Sequence, residues 1–289
     1  MTTPETSWNT EKLGIWTDER EYVVEAEATV AYAEATNDAN PRHLSGELAP
    51  PVFAIVPVFT QLAEPTLAVV PPELLMGVLH GEQDMHFQQP IRPGMTLKTK
   101  AAPLGVHKAG SGVTLHTKLV TTTADGEPVN EQWMVAFFRG VDENLDAGES
   151  APSHQVDEAD RSAEPIAVLE QRYDTDQTYR YSAASGDLMP IHLDEEIAKS
   201  AGLPGIIIHG LCTMAFNSRA IVEQVCDGDS ERLKRLAVRF SRTALPEQAI
   251  STSIWSVDGG AVGREAFAFE TVADSGDTII KDGLADVSA

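Results

Sequence analysis

The chain has 289 residues, of which 42% are apolar, and its formal net charge at pH 7 is −23. This length is enough for one large domain or for two small domains with their own cores. The negative charge argues against bulk attraction to nucleic acid or to anionic membrane surfaces. The two cysteines, Cys212 and Cys226, fit a reducing compartment and do not form a metal-binding pattern, so no metal site is expected.

No apolar run approaches the length of a membrane span, and the N-terminal residues lack the apolar core of a secretory signal. We therefore expect a cytoplasmic protein. Residues 1–20 are mostly polar and are expected to form an arm that lies against the body of the protein. The alternation of apolar residues over 21–31 predicts a strand, or a strand that leads into a helix.

The first chemically informative pattern lies in residues 31–43, AYAEATNDANPRH, where Asp38, Asn40 and His43 follow the order D-x-N-P-x-H. The same step from aspartate to histidine returns later in Asp187 and His192, which indicates an internal repeat. The apolar run over residues 52–59 that follows the first copy does not end in a His-Gly step. We therefore interpret Asp38 and His43 as a decayed site whose residues stabilise a turn.

Residues 52–79 are apolar and rich in proline, and we interpret them as core, with the wall of an acyl tunnel as the alternative. Residues 86–94 align with residues 239–247, which places Phe87 over Phe240 and Pro93 over Pro246. Stretches typical of β-strands, separated by turn residues, follow in each copy. These stretches are 95–101, 112–123 and 131–138 in the first copy, and 249–257, 264–273 and 278–287 in the second.

Residues 142–165 are polar, acidic and nearly free of large apolar groups. Such a composition cannot bury enough apolar surface to form a core, so it predicts an exposed and mobile linker. The expected organisation is a first repeat over 1–141, the linker over 142–165 and a second repeat over 166–289.

The second copy of the motif lies in residues 179–216, YRYSAASGDLMPIHLDEEIAKSAGLPGIIIHGLCTMAF. Asp187 and His192 bracket a turn that Pro190 stiffens, so both side chains can face one small volume. There the imidazole can take a proton from a water while the carboxyl side gives one to a substrate atom. A capped surface turn is the alternative, and the combination with the later His209-Gly210 step favours catalysis.

Helical spacing over residues 193–201 predicts a short helix, and a second helix is expected to begin at Gly210. The first N–H groups of a helix have no partner inside it, so the Gly210 N–H is free to bond a substrate oxygen. Cys212 follows His209 by three residues and raises the alternative of a nucleophile with its base. A small cysteine packed in a core helix is the interpretation we prefer.

The densest basic run of this acidic chain lies in residues 232–242. It predicts either a site for the phosphates of a substrate or a solvated strand whose cations pair with nearby carboxylates.

The segments SGDLMPIH and HGLCT resemble the signature of the MaoC-like (R)-specific enoyl-CoA hydratases, also called hydratase 2, which have the hot-dog fold. The family carries S-G-D-x-N-P-x-H. The resemblance assigns Asp187 and His192 to the catalytic pair and the Gly210 N–H to the oxyanion donor. It also favours Arg239 and Arg242 as substrate-binding side chains, because the family carries cations around the phenylalanine that matches Phe240. Met189 stands where the family has Asn, and a thioether cannot donate a hydrogen bond, so whatever that amide steadies must be steadied differently in this chain.

The resemblance implies an α+β double hot-dog fold, in which each of two repeats wraps an antiparallel sheet around a central helix. It also implies reversible hydration of a trans-2-enoyl thioester, carried by CoA or by a carrier protein, to the (R)-3-hydroxyacyl thioester. No cofactor is expected, and a homodimer is compatible with the family. Three alternatives remain open: a 3-hydroxyacyl dehydratase of fatty-acid synthesis, a hot-dog acyl-CoA thioesterase and an inactive acyl-thioester-binding subunit.

Overall fold

Two antiparallel sheets join edge to edge and form one sheet of 11 strands within residues 7–258 and 262–289, the part of the chain that the computed structural model describes. The strands are β1 (Arg20–Val23), β2 (Val78–Phe87), β3 (Thr96–Ala109), β4 (Gly112–Thr123), β5 (Pro128–Arg139), β6 (Asp146–Gly148), β7 (Ala167–Arg172), β8 (Leu233–Phe240), β9 (Ala249–Val257), β10 (Arg264–Ala273) and β11 (Thr278–Ser288). Their order is β1-β3-β4-β5-β2-β8-β11-β10-β9-β7, and β6 pairs with β3. The strand stretches predicted in both repeats are present, although Gly259 and Gly260 of one predicted turn lie outside the described residues.

The α-helices are α1 (Ala26–Ala35), α2 (Pro41–Leu44), α3 (Ala63–Val69), α4 (Gln177–Ser185), α5 (Glu195–Ser200) and α6 (Gly210–Val225). In the second repeat, α6 is the central helix and contacts β7, β8 and β9. The α+β double hot-dog prediction is confirmed at the level of architecture. Across the described residues, no single helix has the length and apolar character to cross a membrane. Pro51–Gln61 and Ala63–Val69 have that length and character only when taken together, and the pair is bent by 50°.

The central element of the first repeat differs from the helix that we predicted. Residues Pro51–Gln61 form a 3-10 helix, which contacts β3 and β4, and α3 follows it. Pro57 lies inside this segment and has no N–H to donate to a regular α-helical hydrogen bond. The prolines therefore exclude a regular α-helix in this segment. Seven side chains of the segment are buried, which agrees with its interpretation as core.

The two repeats meet along β2 and β8 about a pseudo-two-fold axis. In the predicted repeat Phe87 corresponds to Phe240, so Asp84 corresponds to Ala237, and these two residues are direct partners in the antiparallel register. The second contact on the axis joins the hydroxyls of Tyr32 and Tyr181, which lie 3.3 Å apart. Two copies of one unit therefore share a continuous sheet and a buried core.

A buried ion pair crosses the junction of the two repeats. Arg235 donates to both carboxylate oxygens of Asp84, at 3.0 and 2.7 Å. Burial disfavours the charged carboxylate, but the His86 ring, whose Nε2 lies 3.2 Å from Oδ1, and the hydrogen bonds from Arg235 outweigh it and hold the pKa of Asp84 below its usual value. Because this carboxylate is 2% exposed, removing one partner would leave an uncompensated buried charge.

Part of the segment that we predicted to be an exposed linker is packed against the sheet. β6 pairs with β3 beyond the residues that β1 covers, and so protects a free strand edge. The Ala151 N–H donates to His116 Nδ1 at 2.8 Å, and the buried His154 donates from Nδ1 to the Asp282 carbonyl at 2.7 Å. Most residues of the segment are exposed, as predicted, but β6 and the contacts of Ala151 and His154 hold part of it against the sheet. The repeat boundaries remain a prediction.

We expect His116 to make the fold less stable in acid. Burial and the neighbouring His107 lower the pKa of His116 to about 4, whereas an unfolded histidine titrates near ~6.5. Between these values the unfolded chain binds the proton more readily, so stability falls as pH falls, by up to about 1.4 kcal/mol per pH unit for one proton. Urea unfolding from pH 7 to pH 4.5 should show a shallower loss for His116→Gln than for wild type. Equal slopes would contradict this assignment.

Candidate active site

A tight turn after α4 presents Asp187. The helix ends at Gly186, whose φ of +80° is the left-handed conformation typical of a glycine cap. Ser185 Oγ then accepts the Asp187 N–H at 3.2 Å, and Asp187 Oδ1 accepts the Met189 N–H at 3.1 Å. The second carboxylate oxygen has no partner among the described residues and is available to a substrate.

His192 lies at the end of the 3-10 turn Pro190–His192 and is held in one tautomer. Its Nδ1 is 2.7 Å from the Ile207 carbonyl oxygen. A carbonyl can only accept, so Nδ1 carries the proton and Nε2 keeps a free lone pair. The ring is 8% exposed. The structure therefore presents a histidine whose available nitrogen is a base.

Burial sets the protonation states of the pair. It raises the pKa of Asp187, against the opposing hydrogen bond from the Met189 amide and the attraction of His192. It lowers the pKa of His192, against the opposing Ile207 carbonyl and Asp187. Both shifts favour the neutral forms, a carboxylic acid that can donate and an imidazole that can accept. Pairs tuned in this way are typical of acid–base sites.

His209 stacks on His192 with 3.7 Å between ring centroids and an angle of 25° between the rings. Its Nε2 lies 3.1 Å from Ser182 Oγ and 3.3 Å from the Asp187 carbonyl, so Nε2 donates. Burial, and then the charge of His192, lower the pKa of His209 to about 3. A neutral ring thus supports the base and the turn. From the sequence, His209 was the residue before Gly210 and the base in the Cys212 alternative. Its role in supporting the turn was not predicted, although its position before Gly210 was a signal for it.

Asp187, His192 and His209 together resemble a metal-binding set, since their ligand atoms all lie within 4.8 Å of one another. An ion bound by two imidazoles lies near the plane of each ring, about 2.0–2.1 Å from its nitrogen. When two rings are stacked almost parallel, no single point lies near the plane of each ring and also close to a nitrogen of each. The stacking therefore favours acid–base chemistry over metal ligation at these residues.

Gly210 is the first residue of α6, as predicted. Its N–H makes no hydrogen bond to any described residue and remains an available donor. A Cβ at this position would lie 3.0 Å from the Phe240 ring, which is closer than side chains normally pack. A larger residue here would press on that ring, and the small glycine leaves the amide accessible.

Among the described residues, the two predicted arginines make no hydrogen bond or ion pair with Asp187, His192 or His209. Arg239 lies on the sheet face opposite to Phe240, beside Glu82 and Asp282 at 3.8 and 3.7 Å. Arg242 is exposed beyond the end of β8. A role for either side chain in substrate binding remains a prediction. Cys212 is fully buried and burial raises the pKa of its thiol, which fits the core interpretation.

The first copy of the motif has different contacts. His43 Nδ1 bonds the Asp38 carboxylate at 2.7 Å, and His43 Nε2 bonds Ser230 Oγ at 2.9 Å. Both ring nitrogens of His43 are therefore occupied, whereas His192 keeps one free. The arrangement is consistent with the interpretation of the first copy as a site that has lost the function of the second.

The same comparison shows what Met189 replaces. Asn40, its counterpart, caps α2 by accepting the Arg42 N–H at 3.0 Å and also donates to the Gly228 carbonyl at 2.8 Å. Met189 has nearly the same backbone conformation but makes no cap, and its side chain is 52% exposed. The turn that holds His192 therefore lacks a bond that its twin has.

Residues 154–275 match the family model described as MaoC like domain, and residues 11–132 match the FAS1-like, dehydratase domain region. The chain is 30% identical over 184 residues to the probable enoyl-CoA hydratase 2 of Dictyostelium discoideum, covering 63% of this chain and 62% of that protein. It is 31% identical over 185 residues to the peroxisomal enoyl-CoA hydratase 2 of Arabidopsis thaliana, covering 62% and 60%. The chain thus spans about three fifths of the length of these relatives.

Among solved structures, the chain is similar to the MaoC-like dehydratase from Phytophthora capsici. The TM-score is 0.82 at 26% identity, and the alignment covers 97% of this chain and 98% of that chain. The similarity extends through both repeats, so it includes the junction between them as well as the turn that carries Asp187.

Met189→Asn should restore the missing cap. Its amide oxygen would accept the Ile191 N–H, as Asn40 accepts that of Arg42, and such a cap stabilises by about 1 kcal/mol. We expect a higher midpoint in urea unfolding and activity that is unchanged or raised. Asn40→Ala is the matched variant and should lose a similar amount. A large fall in the activity of Met189→Asn would show that the methionine has a positive role.

Proposed function

The chain belongs to the MaoC-like dehydratases of the hot-dog fold, and from that premise we propose that it is a hydro-lyase acting on acyl thioesters. In the proposed reaction, water adds to a trans-2-enoyl thioester and gives the (R)-3-hydroxyacyl thioester, reversibly. One observation carries this proposal. A neutral base, a carboxyl group of raised pKa and an unpaired amide lie around one turn and one helix start.

His192 acts as the base towards water. Its Nε2 accepts a proton from the water while the water oxygen forms a bond to C3 of the substrate. The Ile207 carbonyl keeps Nδ1 protonated and so stabilises the positive ring that forms. The stacked His209 stays neutral, since its pKa is about 3, and therefore adds no opposing charge.

Addition at C3 pushes electrons towards the thioester oxygen, and the Gly210 N–H is the donor for the charge that develops there. One such donor is typically worth about 3 kcal/mol in the transition state. The Asp187 carboxyl then gives its proton to C2, and a proton from the imidazolium returns to the carboxylate through solvent. The thioester carbonyl itself makes C2 acidic, so these residues supply every group that the reaction needs.

A second candidate is the reverse reaction on a carrier protein, the dehydration of a 3-hydroxyacyl group in fatty-acid synthesis. The match of residues 11–132 to a FAS1-like dehydratase region favours it. The same residues would act in reverse order, so the two candidates differ only in the carrier. Rates with CoA-linked and carrier-linked forms of one acyl group, measured side by side, separate them.

Asp187→Asn and His192→Ala should each reduce the hydration rate by a factor of about 100 or more, because each removes one proton-transfer group. The measurement is the loss of enoyl thioester absorbance with purified protein, with circular dichroism to confirm folding. Glu196→Gln, an exposed acidic residue on α5, serves as the control and should retain wild-type activity. Wild-type rates in the two site variants would rule out the proposed mechanism.

Gly210→Pro and Gly210→Ala separate the amide from the space around it. Both substitutions place a Cβ against Phe240, and proline is well tolerated at the first position of a helix. Only proline removes the N–H, so we expect Gly210→Pro to have a kcat about 100-fold below that of Gly210→Ala. Equal kcat values in two folded variants would show that this amide does not stabilise the transition state.

A further inference from the structure

A chain of three buried side chains lies outside the hydration site, at the junction of the two repeats. The Asp38 carboxylate is 2.7 Å from His43 Nδ1, and His43 Nε2 is 2.9 Å from Ser230 Oγ. The three residues are 9%, 1% and 6% exposed. Asp38 and His43 come from the first repeat and Ser230 from the second, so the arrangement exists only when the repeats pack together.

The order of these contacts is that of an activated serine. Asp38 accepts from Nδ1–H, which leaves the Nε2 lone pair to accept the hydroxyl proton of Ser230. A nucleophile bonded to a base, with the base oriented by a carboxylate, is the arrangement of a nucleophilic acyl-transfer site. We propose that Asp38, His43 and Ser230 form a second site, which hydrolyses short-chain acyl esters or thioesters.

A donor for the oxyanion lies in the same cleft as Ser230. Asn130 lines that cleft and is 1% exposed. Its Oδ1 accepts from Gln132 at 2.9 Å, whereas its Nδ2 has no partner among the described residues. A buried amide left without a partner is costly, and a substrate oxygen in the cleft would satisfy it. Asn130 Nδ2 is thus the group assigned to the developing oxyanion.

The size of the cleft limits the acyl group. The cleft opens to solvent, its cavity volume is about 30 Å³, and Phe87, Ile91 and Leu48 contribute apolar walls. A water needs at least about 10–15 Å³ of such volume, so we expect short acyl groups to be accepted better than long ones.

A larger cavity of about 360 Å³ borders the histidine side of the same three residues. Asp38, His43 and Arg219 line it, together with Ser218, whose buried Oγ has no partner among the described residues. Pro51 lines both spaces, so they are neighbours. The leaving alcohol or thiol receives its proton from His43 Nε2, which bonds Ser230 and therefore faces the small cleft; the larger cavity lies next to it and has room for the group that leaves.

The chemical steps balance with water as the only co-reactant. Ser230 Oγ bonds to the acyl carbon and its proton moves to His43 Nε2; the bond to the alcohol or thiol breaks, and that group leaves with the proton. A water then attacks the acyl-serine and gives its proton to His43. The free acid leaves as Ser230 recovers its proton. None of these steps uses Asp187 or His192, so the inference stands apart from the hydration proposal.

The test uses the full chain and a fluorophosphonate probe, which forms a covalent bond to an activated serine with loss of fluoride. The protein is Asp187→Asn, so that reaction at the hydration site does not contribute. Peptide mapping by mass spectrometry should find the adduct on Ser230, and the same protein should release p-nitrophenol from p-nitrophenyl acetate. Hydrolysis of the hexadecanoate ester should be at least 10-fold slower.

Two further variants separate the triad from a structural contact. His43→Gln keeps groups that can bond Asp38 and Ser230 but cannot take a proton, so labelling should slow by about 100-fold. Ser45→Ala, an exposed serine directly after α2, is the matched control and should label at the starting rate. No adduct on Ser230, or equal labelling in His43→Gln with an intact circular dichroism spectrum, would overturn the proposal.

Discussion

One hydrogen bond sets the chemistry of the candidate active site, the donation from His192 Nδ1 to the Ile207 carbonyl at 2.7 Å. It fixes the tautomer, turns the free lone pair of Nε2 towards the site and supports the ring when it accepts a proton. The stacked His209 and the burial of Asp187 act on the same pair, since both keep the neutral forms favoured. Without that carbonyl, the tautomer of the imidazole would not be fixed.

The first repeat shows how strongly the partner of Nδ1 matters. His43 occupies the equivalent position, but its Nδ1 meets the Asp38 carboxylate and its Nε2 meets Ser230. One turn sequence therefore produces two different arrangements, a base open to substrate and a base already paired with a hydroxyl. Strand β2 of the first repeat pairs with β8 of the second, so both arrangements lie in one core. The serine that completes the arrangement in the first copy comes from the second repeat.

Sequence patterns predicted the parts of the molecule in which the contacting residues are close together in the chain. The turn around Asp187, the start of α6 at Gly210 and most strands depend on neighbouring residues, and the structure has them as expected. The Ile207 carbonyl lies 15 residues from His192, and Ser230 lies 187 residues from His43; no local pattern contains these contacts. The packed stretch around Ala151 escaped prediction for the same reason, because its partners are distant backbone groups and His116.

The central claim is that a neutral acid–base pair adds water across a double bond conjugated to a thioester. Its most direct test is the product formed by wild-type protein from a trans-2-enoyl-CoA in deuterated water. We predict the 3-hydroxyacyl thioester in the (R) configuration alone, with one deuterium at C2 and the thioester intact. Free thiol without hydration, or a product of the (S) configuration, would contradict this account of the site.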